Sequence, residues 1–509
     1  MINYPKKITN KIIDVKTFKK PSNKTLVMCH GTFDVVHPGH IRHLIYAKDQ
    51  GDLLIASLTA DKFITKGEEK PYIPEELRAR NLASLEMVDY VLIDYNEEPV
   101  SNILEIKPDF FVKGFEYSSD GIHPKTKKEI DAVQSYGGKL LFSPGDFVRS
   151  STKFLTVKKP KLTIEKLVSI MDAEKISFKE IDSAIDSFKD IDVHVIGDTI
   201  VDKYVYTNIL GPTTKTPTFS VKRISDEIFV GGAAIVAKHL KGLGANVTFT
   251  TVMGDDELKD FVIDDLEKYG VQVNVHVDKS RPTTLKERFW AEGYKLLQVN
   301  TLENNIISNN IQNKIINQLN KSSSELFVFS DFRHGIFNKQ TIEKICKSLP
   351  KNVVKVGDSQ VTNRWGNILD FQKFDLIIPN EKEARFALAD QDSGVRPLGT
   401  AVFHKSNANF LILKLGEKGI MVFRDSAKNP RDFFTIESFV QDFKDGIGAG
   451  DALLAAASIS YCTTKNIVIS SILGNISAAL ACEVEGNVPV TVSRIKSKLN
   501  EIKSSKNFN

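Results

Sequence analysis

The chain has 509 residues, of which 41% are hydrophobic and 26% charged, as in soluble globular proteins of two or three domains. Its formal charge of +4, from 68 basic and 64 acidic residues, is too small for a protein that coats nucleic acid. The four cysteines show neither metal-ligand spacing nor a pairing pattern. Without a signal-peptide pattern or a run of about 18 apolar residues, we expect a cytoplasmic protein with no membrane or nucleic-acid partner.

Short apolar runs alternate with helical patterns in the first part of the chain. The predicted strands cover residues 25–29, 52–58, 90–93, 110–112 and 139–142. Helical spacing of apolar residues lies between them, for example at Ile41, Leu44 and Ile45. This alternation predicts a Rossmann-like α/β domain over residues 1–155, with a parallel sheet covered on both faces.

A polar joint separates this domain from a second one. Residues 156–190 are rich in Lys, Asp and Glu and carry helical apolar spacing, so we interpret them as a helical linker. A second α/β unit begins near Val193 and is assigned residues 191–509. The apolar region at residues 452–481 is broken by polar residues, which predicts core helices and not a membrane span.

The first motif is His37-Pro-Gly-His40, between a predicted strand and a predicted helix. Pro38 suits the first helical position, because the N–H that it lacks would be unpaired there. A helix N-terminus binds anions, and two imidazoles beside Gly39 add donors for phosphate oxygens. Such a cluster suits attack on an α-phosphate with pyrophosphate as the leaving group. The alternative is that the histidines only cap the turn. The preceding Gly31-Thr-Phe-Asp34 run makes this alternative less favoured.

Residues 25–155 resemble the HxGH cytidylyltransferase-like family, through the two runs above and through Val112-Lys-Gly-Phe-Glu-Tyr117 and Arg149-Ser-Ser-Thr-Lys153. This family includes the nucleotidyltransferase half of the ADP-heptose synthases. The resemblance implies catalytic roles for His37, His40 and Lys66, the last closing over the triphosphate. It implies nucleotide or phosphate contacts at Gly31, Thr32, Phe33, Gly39, Arg78, Lys113, Arg149, Ser151 and Thr152.

The second motif is Asp445-Gly-Ile-Gly-Ala-Gly-Asp451, ahead of a strongly helix-forming run. Three glycines before a helix let backbone N–H groups converge on an anion. An aspartate there can take the proton of a sugar hydroxyl that attacks a γ-phosphate. Turn or packing glycines are the alternative. The site is favoured by Gly231-Gly-Ala-Ala upstream and by Asn380-Glu-Lys-Glu383 in between.

Residues 190–500 resemble the ribokinase (PfkB) family, and more closely the kinase half of the ADP-heptose synthases, through Gly197–Tyr204 and Arg281–Arg288. The resemblance implies that Asp451 is the catalytic base and that Gly448, Ala449 and Gly450 form the anion hole. It implies that Asn380 and Glu383 organise Mg²⁺ and phosphate, with Glu383 at the metal, and that Lys414 and Gly416 lie near adenine. The implied sugar-binding residues are Asp198, Asp202, Gly231, Gly232, Lys286 and Arg288.

The departures from this resemblance cluster on the sugar side. Ile235 stands where the family commonly has asparagine, and Glu292-Gly-Tyr-Lys and Asp358-Ser-Gln also differ. An amide changed to Ile leaves a sugar hydroxyl unpaired, at a cost of about 1–3 kcal/mol. The sequence therefore disfavours heptose 7-phosphate as the substrate. The two halves also stand in the reverse of the order found in ADP-heptose synthases.

Together these features predict a bifunctional enzyme of nucleotide-sugar synthesis for cell-surface polysaccharide. ATP would phosphorylate a sugar or sugar phosphate, and CTP or ATP would donate its NMP to a sugar or polyol phosphate, with Mg²⁺ as cofactor. One alternative keeps the transferase active beside a non-catalytic, sugar-binding or regulatory kinase-like domain. Another is a nucleotide-binding scaffold without catalysis. Both families commonly form dimers, so we expect a homodimer.

Overall fold

The computed structural model describes residues 5–64, 71–114, 124–143, 163–213, 218–361, 367–425, 427, 429 and 431–505. The chain divides into two compact units, Met1–Asp172 and Ala173–Asn509. Among the described residues, no helix is long and apolar enough to cross a membrane. The domain boundaries expected from the sequence, at residues 155 and 191, stay predictions.

The first unit alternates strands and helices along the chain. Its strands are β1 (Ile12–Ile13), β2 (Leu26–Gly31), β3 (Leu53–Thr59), β4 (Tyr90–Asp94), β5 (Phe110–Gly114) and β6 (Lys139–Ser143). Its helices are α1 (Lys6–Thr9), α2 (Pro38–Lys48), α3 (Glu75–Ala83), α4 (Val100–Ile106) and α5 (Pro124–Gln134), and α6 (Thr163–Ala173) follows. The strands are parallel, in the order β1-β4-β3-β2-β5-β6. This confirms the five predicted strands and the Rossmann-like fold; the short β1 was not predicted.

This sheet is buried on both faces. Side chains alternate across a strand, so Val27 and Cys29 of β2 pack in one core cluster while Leu26 and Met28 pack in the other. Helices α2 and α3 supply the first cluster, and α4 and α5 supply the second. Strand β2 lies between β3 and β5, where the strand order reverses. In open α/β sheets, ligands bind at the carboxyl ends of the strands at this switch point.

The second unit contains two sheets. Its strands are β7 (Asp192–Gly197), β8 (Thr199–Pro212), β9 (Phe219–Gly232), β10 (Asn246–Met253), β11 (Gln272–Val277), β12 (Leu285–Ala291), β13 (Tyr294–Thr301), β14 (Leu326–Asp331), β15 (Val354–Ser359), β16 (Leu376–Ile377), β17 (Phe410–Lys414), β18 (Ile420–Arg424) and β19 (Phe433–Ile436). The large sheet has the order β11-β10-β7-β14-β15-β16-β17-β18-β19, parallel except for its last two pairings. Like the first, it is a sheet that needs helices on both faces.

Ten helices are described in this unit: α7 (Phe178–Asp186), α8 (Ala233–Gly242), α9 (Glu257–Lys268), α10 (Asn309–Leu319), α11 (Lys339–Ser348), α12 (Glu381–Leu388), α13 (Val395–Ser406), α14 (Ala449–Thr464), α15 (Ile467–Cys482) and α16 (Val492–Ser505). Helices α10 to α13 pack in one core cluster with Phe327 and Phe329 of β14. Helices α14 and α15 are buried along nearly their whole length, which confirms the predicted core helices.

The small sheet has the order β13-β12-β8-β9 and was not predicted as a separate layer. Strands β8 and β9 form a long antiparallel hairpin, and β12 pairs in parallel with β8. This pairing places Asp202 opposite Lys286 and Tyr204 opposite Arg288. Residues far apart in the sequence are therefore brought to one sheet, which carries most of the sugar-binding residues expected from the resemblance.

Arg78 of α3 holds three loops of the first unit together. Its side chain is completely buried. It donates to the carbonyl oxygens of Thr32, Thr59 and Ile73, and it forms an ion pair with Asp61. The sequence predicts that Arg78 contacts phosphate, whereas its donors here bind protein oxygens. We therefore expect Arg78 to position the loops around the site.

Replacing Arg78 should destabilise the first unit strongly. Arg78→Met would leave the largely buried carboxylate of Asp61 and three carbonyls without their donor, which typically costs about 3–5 kcal/mol. Arg80→Met is the matched control on the same helix, because Arg80 is partly exposed and lies 3.9 Å from Asp172; a loss below about 1 kcal/mol is expected there. Urea unfolding followed by circular dichroism measures both values, and equal losses would contradict this role.

Candidate active sites

The histidine pair of the first unit lies at the N-terminus of α2. His37 is the N-cap residue, and Pro38 takes the first helical position as predicted. The backbone N–H of Gly39 donates to Nδ1 of His37 over 3.1 Å. In the neutral ring this acceptor role puts the proton on Nε2. His37 therefore offers Nε2–H as a hydrogen-bond donor.

The two imidazole rings are stacked on each other. The ring centroids of His37 and His40 lie 3.9 Å apart with an interplanar angle of 30°. Burial lowers the pKa of His40 to about 4, and the nearby His37 and His43 act in the same direction. Burial also lowers the pKa of His37. Both rings are thus neutral near pH 7, and an arriving polyphosphate would favour their protonation.

The loop before the pair has an unusual backbone. Gly31 ends β2, Thr32 is exposed, and Phe33 is buried with φ of 48°, a left-handed conformation that is rare for a bulky residue. The Phe33 ring lies 5.2 Å from that of His40. Asp34 accepts hydrogen bonds from the backbone N–H groups of Tyr72 and Ile73. Strain of this kind persists where the surroundings enforce it, as at functional sites.

Two further residues flank the pair. Lys113 of β5 is buried in an ion pair with Glu129 and lies 3.3 Å from Oγ1 of Thr126. His43, which the motif analysis missed, has Nδ1 3.0 Å from Oγ of Ser143 at the end of β6. His43 follows His40 by three residues, a spacing that places both on one helix face and could have indicated it. The predicted Lys66, Arg149, Ser151 and Thr152 lie outside the described residues.

In the second unit, Asp202 is the centre of a buried polar network. Its carboxylate forms an ion pair with Arg288 and accepts from Nδ2 of Asn487 over 2.9 Å. A Cβ atom on Gly231 would come within 2.3 Å of this carboxylate, so only glycine fits there. Oδ1 of Asn487 in turn lies 2.9 Å from where a Cβ of Gly448 would be. Asn487 therefore links the sugar side to the glycine loop, and no motif indicated it.

Asp198 and Lys286 border the same region. The carboxylate of Asp198 accepts from the backbone N–H groups of Phe332 and His334, so it fixes the loop after β14. Nζ of Lys286 lies 5.8 Å from the centroid of the Phe332 ring, and burial lowers the pKa of this lysine. Gly232 is the N-cap of α8. The predicted departure at Ile235 lies on this helix and is completely buried.

Asp451 lies in the first turn of α14, after Ala449 and Gly450. Gly448 is the N-cap with φ of 79°, a left-handed conformation that suits glycine. Burial, reinforced by the charge of Asp358, raises the pKa of Asp451 to about 8. A carboxyl group with a raised pKa at a helix N-terminus suits proton transfer.

Asn380 and Glu383 form a capping box at the start of α12. Oδ1 of Asn380 accepts from the N–H of Glu383 over 2.9 Å, and Glu383 accepts from the N–H of Asn380 over 2.6 Å. Burial raises the pKa of Glu383 to about 7. Oδ1 of Asp358 is buried without a hydrogen-bond partner in the described structure. The carboxylates of Glu383 and Asp358 fit Mg²⁺, which proteins usually hold through one or two carboxylates and substrate phosphates.

Lys414 and Gly416 end up in different surroundings. Lys414 ends β17 and pairs with Asp358 through Nζ and Oδ2, 2.7 Å apart. Gly416 is exposed, and nothing lies within 4 Å of where its Cβ would be. In the glycine loop before α14, the carboxylate of Asp445 accepts a hydrogen bond from the Tyr204 hydroxyl over 3.0 Å. No group of three or more metal-binding side chains is present among the residues described.

Comparison with known proteins supports both halves of the sequence analysis. The pfkB family carbohydrate kinase profile matches residues 190–491, more than half of the chain. The cytidylyltransferase-like profile matches residues 28–139. The order of the two segments is the one that the sequence predicts, with the cytidylyltransferase-like segment first.

The chain is similar to curated proteins named bifunctional protein HldE. The protein of a Nitratiruptor species is 26% identical over 312 residues, which cover 59% of this chain and 63% of that protein. The protein of Geobacter metallireducens is 39% identical over 124 residues, 24% of each chain. This chain thus spans less than two thirds of the length of these relatives.

Solved structures confirm the kinase-like fold. Phosphofructokinase-2 from Escherichia coli, in complex with substrates and products, aligns with a TM-score of 0.52 at 14% identity, covering 62% of this chain and 99% of that one. The same enzyme in complex with fructose-6-phosphate gives a TM-score of 0.51. With its α/β/α second unit and the family match over residues 190–491, the chain belongs to the pfkB family of carbohydrate kinases.

Proposed function

We propose that the chain is a bifunctional enzyme of nucleotide-sugar biosynthesis. One site would phosphorylate a sugar or sugar phosphate with ATP, and the other would transfer NMP from CTP or ATP to a sugar or polyol phosphate. The observation that carries the proposal is the pair of phosphate-suited helix N-termini, one with stacked His37 and His40 and one with Asp451. The histidine pair and Asp451 belong to different compact units.

In the transferase, an oxygen of the acceptor phosphate would attack the α-phosphorus of the NTP. A new P–O bond forms as the bond to pyrophosphate breaks. Negative charge then grows on the leaving pyrophosphate, and donors fixed beforehand at that position lower the barrier. His37 and His40, both neutral in the free protein, would supply such donors at the start of α2.

In the kinase, the acceptor hydroxyl would attack the γ-phosphorus of ATP while Asp451 takes its proton. The bond between the γ-phosphorus and the bridging oxygen breaks, and ADP leaves. The N–H groups of Gly448, Ala449 and Gly450 would bind the phosphoryl oxygens. Mg²⁺ would be held by Glu383 and Asp358 with phosphate oxygens, and it would neutralise their charge.

The finer assignments rest on the resemblance and on the relatives. We infer a cytoplasmic enzyme that serves cell-surface polysaccharide synthesis. The similar proteins are named bifunctional protein HldE, which is in keeping with two activities in one chain. The alternative of a non-catalytic kinase-like domain is disfavoured by the glycine loop and Asp451.

We also infer a homodimer, formed through the outer side chains of the small sheet. Every residue of β13 is exposed. Large exposed apolar side chains of this sheet are Ile209, Leu210, Ile224, Ile228, Tyr294, Leu296, Leu297 and Val299. Apolar patches of this kind mark protein interfaces. Sedimentation velocity at micromolar concentration should give twice 56.8 kDa, and a monomer would contradict the inference.

A direct assay tests the two-activity proposal. The wild-type protein is mixed with Mg²⁺, each NTP and a panel of sugars, sugar phosphates and polyol phosphates. Sugar-dependent ADP release reports the kinase, and acceptor-dependent pyrophosphate release reports the transferase. Release of pyrophosphate alone would support the binding-module alternative, and release of neither would leave only the scaffold.

His40→Ala should reduce nucleotidyl transfer by about 10²–10³-fold, the usual loss for one preorganised transition-state donor. Pyrophosphate release measures the effect. Kinase turnover in the same preparation is the internal control and should stay near wild type, since Asp451 belongs to the other unit. Unchanged pyrophosphate release in this variant would exclude a catalytic role for the histidine pair.

Asp451→Asn should reduce phosphorylation by about 10²–10⁴-fold, because the amide cannot accept the proton. In the wild type, kcat/KM should rise with pH up to about 8, since the base acts only when deprotonated. Asp451→Asn should lack this limb. Nucleotidyl transfer onto a ready-made sugar phosphate should persist. ADP release that is unaffected by the substitution would rule out Asp451 as the base.

A further inference from the structure

Lys414 lies closer to the reacting groups than its place in the sequence suggests. It is the last residue of β17, and its backbone N–H donates to the carbonyl of Pro379. The side chain crosses β16 in the sheet order to reach Asp358 of β15, and only 12% of it is exposed. The resemblance placed Lys414 near adenine, whereas this ammonium lies at the carboxyl edge of the central strands.

The ammonium also borders the first turn of α14. Nζ of Lys414 lies 3.6 Å from where a Cβ of Gly450 would be, and Cδ lies 3.9 Å from the same point. Gly450 precedes Asp451, so the unpaired N–H groups, the base and this cation meet at one place. A phosphoryl group bound by that turn would lie within reach of Lys414.

Acidic side chains surround the ammonium of Lys414. Its Nζ pairs with Oδ2 of Asp358 over 2.7 Å, and the carboxylates of Glu383 and Asp451 lie nearby. The second oxygen of Asp358 is buried without a hydrogen-bond partner in the described structure. Asp358 therefore keeps an open acceptor for another cation while Lys414 occupies Oδ2.

We propose that Lys414 is a catalytic residue of the kinase unit, whose ammonium contacts the phosphoryl group in transfer. This inference rests on the proposed kinase function. The acceptor oxygen bonds to the γ-phosphorus, its proton moves to Asp451, and the electron pair of the broken P–O bond leaves with ADP. Lys414 donates no proton to the products. It stabilises the negative charge on the phosphoryl oxygens, which is the main contribution a protein makes in phosphoryl transfer.

A purely structural role is the competing explanation. Lys414 could serve only to neutralise Asp358, since removing one partner of a buried ion pair leaves an uncompensated charge. The two roles differ in what they affect. Neutralisation influences folding and the binding of ADP, whereas contact with the phosphoryl group influences turnover and the binding of a transition-state analogue.

The test compares Lys414→Met with Lys355→Met, the same change at the amino end of β15, where Nζ of Lys355 lies 5.7 Å from the Phe374 ring. The acceptor is the sugar that supports the fastest ADP release by the wild type. Lys414→Met should lower kcat by about 10²–10³-fold. It should weaken the ADP–aluminium fluoride–sugar complex by a similar factor while ADP alone binds as in the wild type. Lys355→Met should change none of these values.

Three outcomes would overturn the proposal. The first is a kcat of Lys414→Met within about threefold of that of Lys355→Met, and the second is equal weakening of the binding of ADP and of the aluminium fluoride complex. The third is a return of kcat to the wild-type value when Asp358→Asn is added to Lys414→Met. If Lys414→Met does not fold, the Asp358→Asn/Lys414→Met double variant removes both charges and is compared with Asp358→Asn alone. Because Asp358 is also a proposed Mg²⁺ ligand, both are assayed at a Mg²⁺ concentration at which Asp358→Asn still releases ADP. Equal turnover in those two proteins means that Lys414 only neutralises Asp358. A further loss of about 10²-fold in the double variant supports contact with the phosphoryl group. Inactivity of the wild type with every acceptor would instead contradict the proposed kinase function.

Discussion

The arrangement of both candidate sites depends on one constraint, the common direction of strands in a parallel sheet. All strands of such a sheet present their carboxyl ends at the same edge, and each following helix presents its unpaired N–H groups there. In the first unit this edge carries Gly31 and the histidine pair of α2. In the second unit it carries Asp358, Lys414 and the glycine loop before α14. Anion binding therefore follows from the fold, and the side chains decide which reaction can use it.

The side chains at these edges form an incompletely compensated set of charges. In the kinase unit, Asp358, Glu383 and Asp451 lie near Lys414, and Lys286 also lies near Asp451. Burial raises the pKa of both Glu383 and Asp451. A nucleoside triphosphate would add further negative charge, so a divalent cation suits this edge of the sheet. The transferase edge differs, because its donors are neutral rings. The two proposed phosphate chemistries would thus rest on the same backbone geometry with different charge.

Local patterns predicted much of this architecture. The five strands of the first unit, the helix that begins at Pro38 and the core helices α14 and α15 all follow from periodicity and turn residues over a few positions. The small sheet does not, because β8 pairs with β12 across a long stretch of chain. Pairings of that kind leave no local signal. The same holds for Asn487, which reaches Asp202 from beyond α15.

The motifs predicted the region in which a residue lies better than they predicted the atoms that its side chain contacts. Arg78 and Asp198 lie beside the predicted sites, but their polar atoms bind backbone groups of the surrounding loops. A motif fixes the type of a residue at a position and not which neighbour its side chain reaches. Lys414 illustrates the same point, since the resemblance implies a place near adenine while its ammonium contacts Asp358.

If one chain carries two phosphate chemistries on two separate units, ³¹P NMR of the wild-type protein will resolve the products of both. The sample contains Mg²⁺, ATP, CTP and one acceptor that supports ADP release. We expect a phosphomonoester signal of the acceptor to grow first, followed by a pair of coupled diphosphate signals and free pyrophosphate. Accumulation of the phosphomonoester without any diphosphate ester, from either ATP or CTP, would show that the chain does not combine the two activities.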